Sequence, residues 1–132
     1  MTPAELGKRL YAVLDAQDWP QVQALVSPEL VVQVGSSPPM DFDQWRRNQE
    51  AFYLGFPDGH HVIDDYLVNG QRLVTRCRFE GTHSGTFGEW SPTGTAVSVG
   101  VIHIDRFARE KLVEHRGQLD MLGLLQQIGA TS

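Results

Sequence analysis

Apolar residues recur at helical spacing in the first third of this chain and then switch to alternation with polar ones. Leu6, Leu10, Tyr11, Val13 and Leu14 form one stripe at that helical spacing, and Thr2-Pro3 supplies a hydroxyl cap with proline in the first turn. Asp18-Trp19-Pro20 repeats the start signal for a short second helix carrying Val22, Leu25 and Val26, which Ser27-Pro28 ends. Residues 30–34 are β-branched and predict a strand, and residues 35–39 a loop. Asp41 caps a third helix whose inward face holds Phe42, Trp45, Gln49 and Phe52. From residue 60 onward the period is two. Strands are predicted at 60–68 and 71–80, joined at Asn69-Gly70, a strong hairpin signal. A long Gly, Ser, Thr and Pro loop over 81–94 contains Phe87 and Trp90, and strands at 95–107 and 111–118 follow.

Helices first and consecutive hairpins afterwards specify an α+β domain, in which N-terminal helices cover a curved antiparallel sheet. The last hairpin carries the candidate chemistry. A three-residue turn at Ala108-Arg109-Glu110 pairs Phe107 with Lys111, His103 with His115, Asp105 with Val113 and Val101 with Gly117. His103, Asp105, His115 and Gly117 then share one face. A slip of one residue would separate the histidines, so the inference hangs on turn length. Two imidazoles facing each other on an apolar strand pair are costly to bury without partners. They are read as a hydrogen-bonded structural pair or as acid/base groups. Asp105 is a possible partner of His103. A metal set of two histidines and Asp105 is the weaker reading, because Asp105 lies two strand positions beyond His103.

The remaining histidines and acids read differently. His60 and His61 are adjacent in a strand, point to opposite faces and are read as surface or rim residues. His83 either ties the 81–94 loop to the sheet or touches a ligand. Asp120 precedes Met121-Leu122-Gly123 and is read as a helix cap rather than a base.

Composition narrows the partners. At 132 residues the chain is one domain, 1–132. Its net charge of −5 without a basic run argues against nucleic acid. The single cysteine, Cys77, excludes an internal disulfide and Cys-based zinc spacing, and in a strand it is read as a small hydrophobe. No stretch has the length of a membrane span and no signal-peptide pattern opens the sequence, so a cytoplasmic location is expected.

Several motifs together resemble one family. They are Leu112-Val113-Glu114-His115-Arg116, the closing Asp120 to Gly129 run ending Gly-Leu-Leu-Gln-Gln-Ile-Gly, Phe56-Pro57-Asp58, Gly81-Thr82-His83-Ser84-Gly85 and Ser91-Pro92-Thr93-Gly94. In this order they are similar to SnoaL-like polyketide cyclases, over roughly residues 50 to 129. The resemblance implies a cone-shaped nuclear-transport-factor-2-like fold with an apolar pocket. It also implies a homodimer through the outer sheet face, with no metal and no cofactor. Characterised cyclases of this family carry histidines at the positions of His103 and His115. Their general-base aspartate falls where this chain has Gly117. The implied chemistry is proton abstraction beside a carbonyl, an enolate and an intramolecular aldol closure. His103 is expected as acid/base, Asp105 as its partner and His115 as oxyanion donor or orienter. Trp45, Phe52, Phe56, His83, Phe87, Trp90 and Gly117 are expected to contact a flat, apolar, carbonyl-bearing ligand. Relatives with other reactions, including hydroxylation, and a non-catalytic ligand-binding homodimer stand as alternatives.

Overall fold

The computed structural model describes residues 1–131. Helix α1 spans Pro3–Asp15, with Thr2 and Glu5 closing a reciprocal capping box at its start. Its inward stripe, Leu6, Leu10, Tyr11 and Leu14, is buried. Gly7 sets how closely this helix approaches the sheet: a Cβ there would lie 2.2 Å from Leu73 Cδ2. Helix α2 is Trp19–Ala24, and strand β1 follows at Val26–Val34. The sequence reading placed Val26 in the helix and a stop at Ser27-Pro28. Instead Val26 opens the strand and pairs with Leu112, with a register irregularity between Val26 and Val31 that takes up Pro28. Proline is tolerated there because β1 is an edge strand.

Helix α3, Phe42–Gly55, starts from an Asp41/Gln44 capping box. Strands β2, His60–Asn69, and β3, Arg72–Thr82, form a hairpin. Asn69 pairs with Arg72, so the two turn residues are Gly70 and Gln71, one position later than Asn69-Gly70. Strands β4, Ala96–Ala108, and β5, Lys111–Leu119, form the second hairpin, and α4, Met121–Gln127, closes the chain. Asp120 Oδ1 accepts from the Gly123 N–H at 2.9 Å, which makes Asp120 the helix cap.

The sheet order is β1-β5-β4-β3-β2. The β2 to β5 meander is antiparallel as expected. The expectation of a wholly antiparallel sheet is corrected at one edge: β1 runs parallel to β5, because α3 and the β2–β4 strands intervene before the chain returns beside it. The inner face presents Leu73, Cys77 and Phe79 from β3, and Val97, Val99, Val101 and Phe107 from β4. These pack against the buried stripe of α1 and against Trp45 and Tyr53 of α3. Each such side chain contributes about 1.5–3 kcal/mol on burial, against the entropy of ordering it. Cys77 is buried, and burial raises its thiol pKa, which keeps it a thiol in the core. Arg76 and Arg78 lie on the outer face, paired with Asp65 and Asp64, beside exposed Ile102 and Ile104 of β4. No helix among the described residues is long and apolar enough to cross a membrane.

Candidate active site

The β4–β5 turn has two residues, Arg109 and Glu110, both at positive φ, with Ala108 paired to Lys111. This corrects the three-residue turn. The change alone would have put the histidines on opposite faces. A bulge follows, however: Phe107 pairs with Leu112 and Arg106 with Glu114, leaving Val113 unpaired. Turn and bulge each move the register by one residue, and two such moves restore the side-chain parity. His103, Asp105, His115 and Gly117 therefore share the inner face after all, with different partners. Asp105 is opposite His115, and His103 is opposite Gly117.

The new register decides what Asp105 does. Its Oδ1 accepts from His115 Nδ1 at 2.5 Å, and its Oδ2 accepts from the Tyr11 hydroxyl, also at 2.5 Å. Asp105 is fully buried and is the partner of His115, not of His103 as expected. A carboxylate held at Nδ1 fixes the tautomer and leaves His115 Nε2 as the free nitrogen. Burial and the Asp105 charge push the Tyr11 pKa far up, so its hydroxyl stays protonated and serves as a donor. Trp45 packs on the other side of His115, ring centroids 5.1 Å apart.

His103 packs against two of these groups. Its ring is stacked 4.9 Å from Tyr11 and 4.9 Å from His115. Burial pushes its pKa well down, and His115 and His61 push in the same direction, so the imidazole is neutral near pH 7. Its Nδ1 faces the interior with no hydrogen-bond partner. A Cβ built on Gly117 would come 2.9 Å from His103 Cδ2 and 3.4 Å from Nε2. The imidazole thus occupies the space that a side chain at position 117 would need.

A second carboxylate–histidine pair faces the same space. His61, read from sequence as a rim residue, is mostly buried, and its Nδ1 donates to Asp15 Oδ1 at 2.7 Å. Its backbone N–H donates to Asp15 Oδ2 at 2.7 Å, and the Tyr53 hydroxyl donates to Asp15 Oδ1 at 2.7 Å. The His61 and His103 rings are 5.4 Å apart. Tyr11, Asp15, Tyr53 and His61 were missed because their partners lie far along the chain. A signal was present: Tyr11 and Asp15 stand four residues apart on one face of α1, and alternation required one of His60 and His61 to point inward.

These side chains open onto a cavity of about 440 Å³ between α1, α3 and the inner sheet face. Phe52, Phe79, Phe87, Trp90, Val101 and Leu119 line it, with His61, His103, His115 and Gly117 as its chemical wall and Asn48 and Gln49 on the α3 side. None of the lining residues carries a formal charge unless a histidine is protonated. Of the expected ligand contacts, Phe52, Phe87, Trp90 and Gly117 line the cavity, while Trp45, Phe56 and His83 do not. Trp45 backs His115, and Phe56 lies beneath Phe52 and Phe87. His83 is fully buried against Phe56, with Nδ1 at 2.9 Å from Thr93 Oγ1 and its backbone holding both Gly94 and Thr95. It ties the loop down. Among the described residues, no group of three His, Cys, Asp or Glu is arranged to hold a metal ion.

The family model described as SnoaL-like polyketide cyclase matches residues 4–128. No curated protein matches the sequence. Among solved structures, IdmH of Streptomyces antibioticus, a candidate polyketide cyclase, superposes with a TM-score of 0.89 at 25% identity, covering 98% of this chain and 99% of that one. A candidate SnoaL-like polyketide cyclase from Jannaschia sp. CCS1 gives 0.88 at 25% identity, covering 98% and 93%. AclR of Streptomyces galilaeus, a candidate hydroxylase, gives 0.89 at 24% identity, covering 98% and 82%, a likeness of fold.

Proposed function

This chain belongs to the SnoaL-like polyketide cyclase family, and from that premise we propose that it is an enzyme of enolate chemistry. It needs no metal or cofactor and acts on a flat, apolar, uncharged carbonyl compound. The observation that carries this reading is the Tyr11–Asp105–His115 chain ending at a cavity wall. With Asp105 on Nδ1, His115 Nε2 takes a proton from carbon next to a carbonyl, and Asp105 balances the imidazolium that forms. His103, neutral and beside it, orients the oxygen on which charge develops. This reverses the roles expected from sequence for the two histidines. It also supplies a base although Gly117 stands at the family's aspartate position. Aromatic walls give shape and area, and no Lys or Arg lines the cavity to hold a carboxylate or phosphate ligand.

The test is deuterium exchange at the carbon between the carbonyls of benzoylacetone, followed by NMR in D2O. The wild-type protein is expected to exceed the buffer rate by at least about a hundred-fold, the scale of one positioned acid/base. Exchange at the buffer rate would sink the proposal. The second reading is a binding protein that kept the pocket and lost the base. It is favoured by one observation: no carboxylate lines the cavity or bonds His103. Under that reading benzoylacetone would bind without exchanging.

Both readings are proposed for a homodimer, located in the cytoplasm, formed through the outer sheet face. There Ile102 and Ile104 of β4 are 47% and 42% exposed, apolar side chains that a second copy would cover. Sedimentation at micromolar concentration should give twice the chain mass, and Ile104→Glu should return it to one chain.

A further inference from the structure

We infer that His61, held by Asp15 and Tyr53, is a second acid/base residue of the cavity, working opposite His115. This rests on the enolate reading above and adds to it the source and destination of the second proton. Two Tyr–Asp–His chains converge here: Tyr11–Asp105–His115 from one side and Tyr53–Asp15–His61 from the other. Each ends in a histidine on the cavity wall whose Nδ1 is engaged by a carboxylate, leaving Nε2 free. His103 stands between them, 5.4 Å from His61 and 4.9 Å from His115 by ring centroids. If Asp15 only pinned α1 to β2, its hydrogen bond to the His61 backbone N–H would suffice. The additional bonds to Nδ1 and to Tyr53 orient the imidazole itself. Burial and Asp15 push the Tyr53 pKa far up, so Tyr53 remains a donor to the carboxylate.

The working state holds one proton between two dyads: His115 neutral, His61 as imidazolium against Asp15. His115 Nε2 takes the proton from carbon, and the C–H electron pair becomes the enolate. His61 Nε2 gives its proton to the enolate oxygen, and a neutral enol results. In ring closure the enol carbon then attacks a second carbonyl of the same substrate. The C=C electron pair forms the new C–C bond. The enol O–H pair reforms C=O, and its proton returns to His61. The attacked carbonyl's π pair moves to its oxygen, which takes the proton from His115. Both imidazoles end as they began. The substrate class is therefore an uncharged compound with two carbonyls, one bearing an acidic C–H.

The groups facing His61 are Asp15 and Tyr11 of α1, Tyr53 of α3 and His103 of β4, with uncharged Phe79 of β3 beside it. Asp15 is the one carboxylate among them. The test is deuterium exchange into benzoylacetone by wild type and variants. His61→Gln should lower the wild-type rate by about a hundred-fold. His61→Gly should be comparably slow and recover rate when imidazole is added to the buffer, which a structural role would not allow. Asp15 is a positioning residue, and Asp15→Asn, near-isosteric, should lower the rate and change the His61 tautomer read by nitrogen NMR. That pair of readouts carries the test if the His61 variants do not fold. Exchange at the wild-type rate in His61→Gln, no rescue of His61→Gly by imidazole, or an unchanged rate and tautomer in Asp15→Asn overturns the role of His61 and leaves the enolate reading standing. No exchange by wild type overturns both.

Discussion

Asp105→Asn is expected to slow carbon-proton exchange by about a hundred-fold or more while the chain stays folded. In the native site one carboxylate accepts from two buried donors, the Tyr11 hydroxyl and His115 Nδ1. An asparagine has one acceptor oxygen and an NH2 group. If the oxygen keeps Tyr11, the NH2 meets His115 Nδ1, which must then be the acceptor. The imidazole proton moves to Nε2, and the nitrogen facing the cavity can no longer take a proton. The loss is thus one of tautomer and counter-charge, with geometry nearly unchanged. Stability should fall by about 1–3 kcal/mol, the cost of a weakened buried hydrogen-bond network. Nitrogen NMR of the histidines reads the tautomer, and urea unfolding reads the stability. Exchange within two-fold of wild type in Asp105→Asn would remove His115 from the role of base.

Gly117→Asp is the second variant with a large expected effect, and its sign is set by packing. The resemblance implies a general-base aspartate at this position, which would lead one to expect a gain of activity from introducing it. The structure argues for a loss. A Cβ at 117 would be 2.9 Å from His103 Cδ2, and His103 is stacked against both Tyr11 and His115. Moving the imidazole disturbs those stacks, so the new side chain and His103 compete for one volume. Overpacking of this kind costs about 1–3 kcal/mol. Burial at this position would also raise the new carboxyl above its usual range and favour its protonated form. Gly117→Asp is expected to unfold at lower urea and to exchange at least about ten-fold more slowly than wild type, the order set by losing one oriented donor. Gly117→Asp combined with His103→Ala, which empties the contested space, should recover stability relative to Gly117→Asp alone. Faster exchange by Gly117→Asp than by wild type would show that His103 yields and that a carboxylate at 117 can act as the base.

These two variants show where sequence and tertiary structure divide. Local periodicity determined the helices, the two hairpins and the shared face of His103 with Asp105 and of His115 with Gly117, because side-chain direction within a strand follows from position alone. That both pairs face inward together came from the turn and the bulge, whose register shifts compensate. The Asp41 and Asp120 caps, the inward phase of Trp45 and Phe52 and the buried row from Leu73 to Phe79 were legible for the same reason. The strand pairing was not. Arg109 and Glu110 take positive φ without glycine or asparagine, and the bulge at Val113 has no sequence marker. Together they give Asp105 to His115 and place His103 over Gly117. The parallel seating of β1 beside β5 was also closed to local reading, since only the packed sheet brings those strands together. The second dyad lay furthest out of reach. His61, Asp15 and Tyr53 come from β2, α1 and α3, and Tyr11 reaches Asp105 across 94 residues of chain. Periodicity gives each of these side chains a direction, but only the docking of α1 and α3 on the sheet gives it a partner. The hydrogen bonds that make carboxylates and imidazoles into acid/base pairs form between elements, and local sequence does not encode which elements meet.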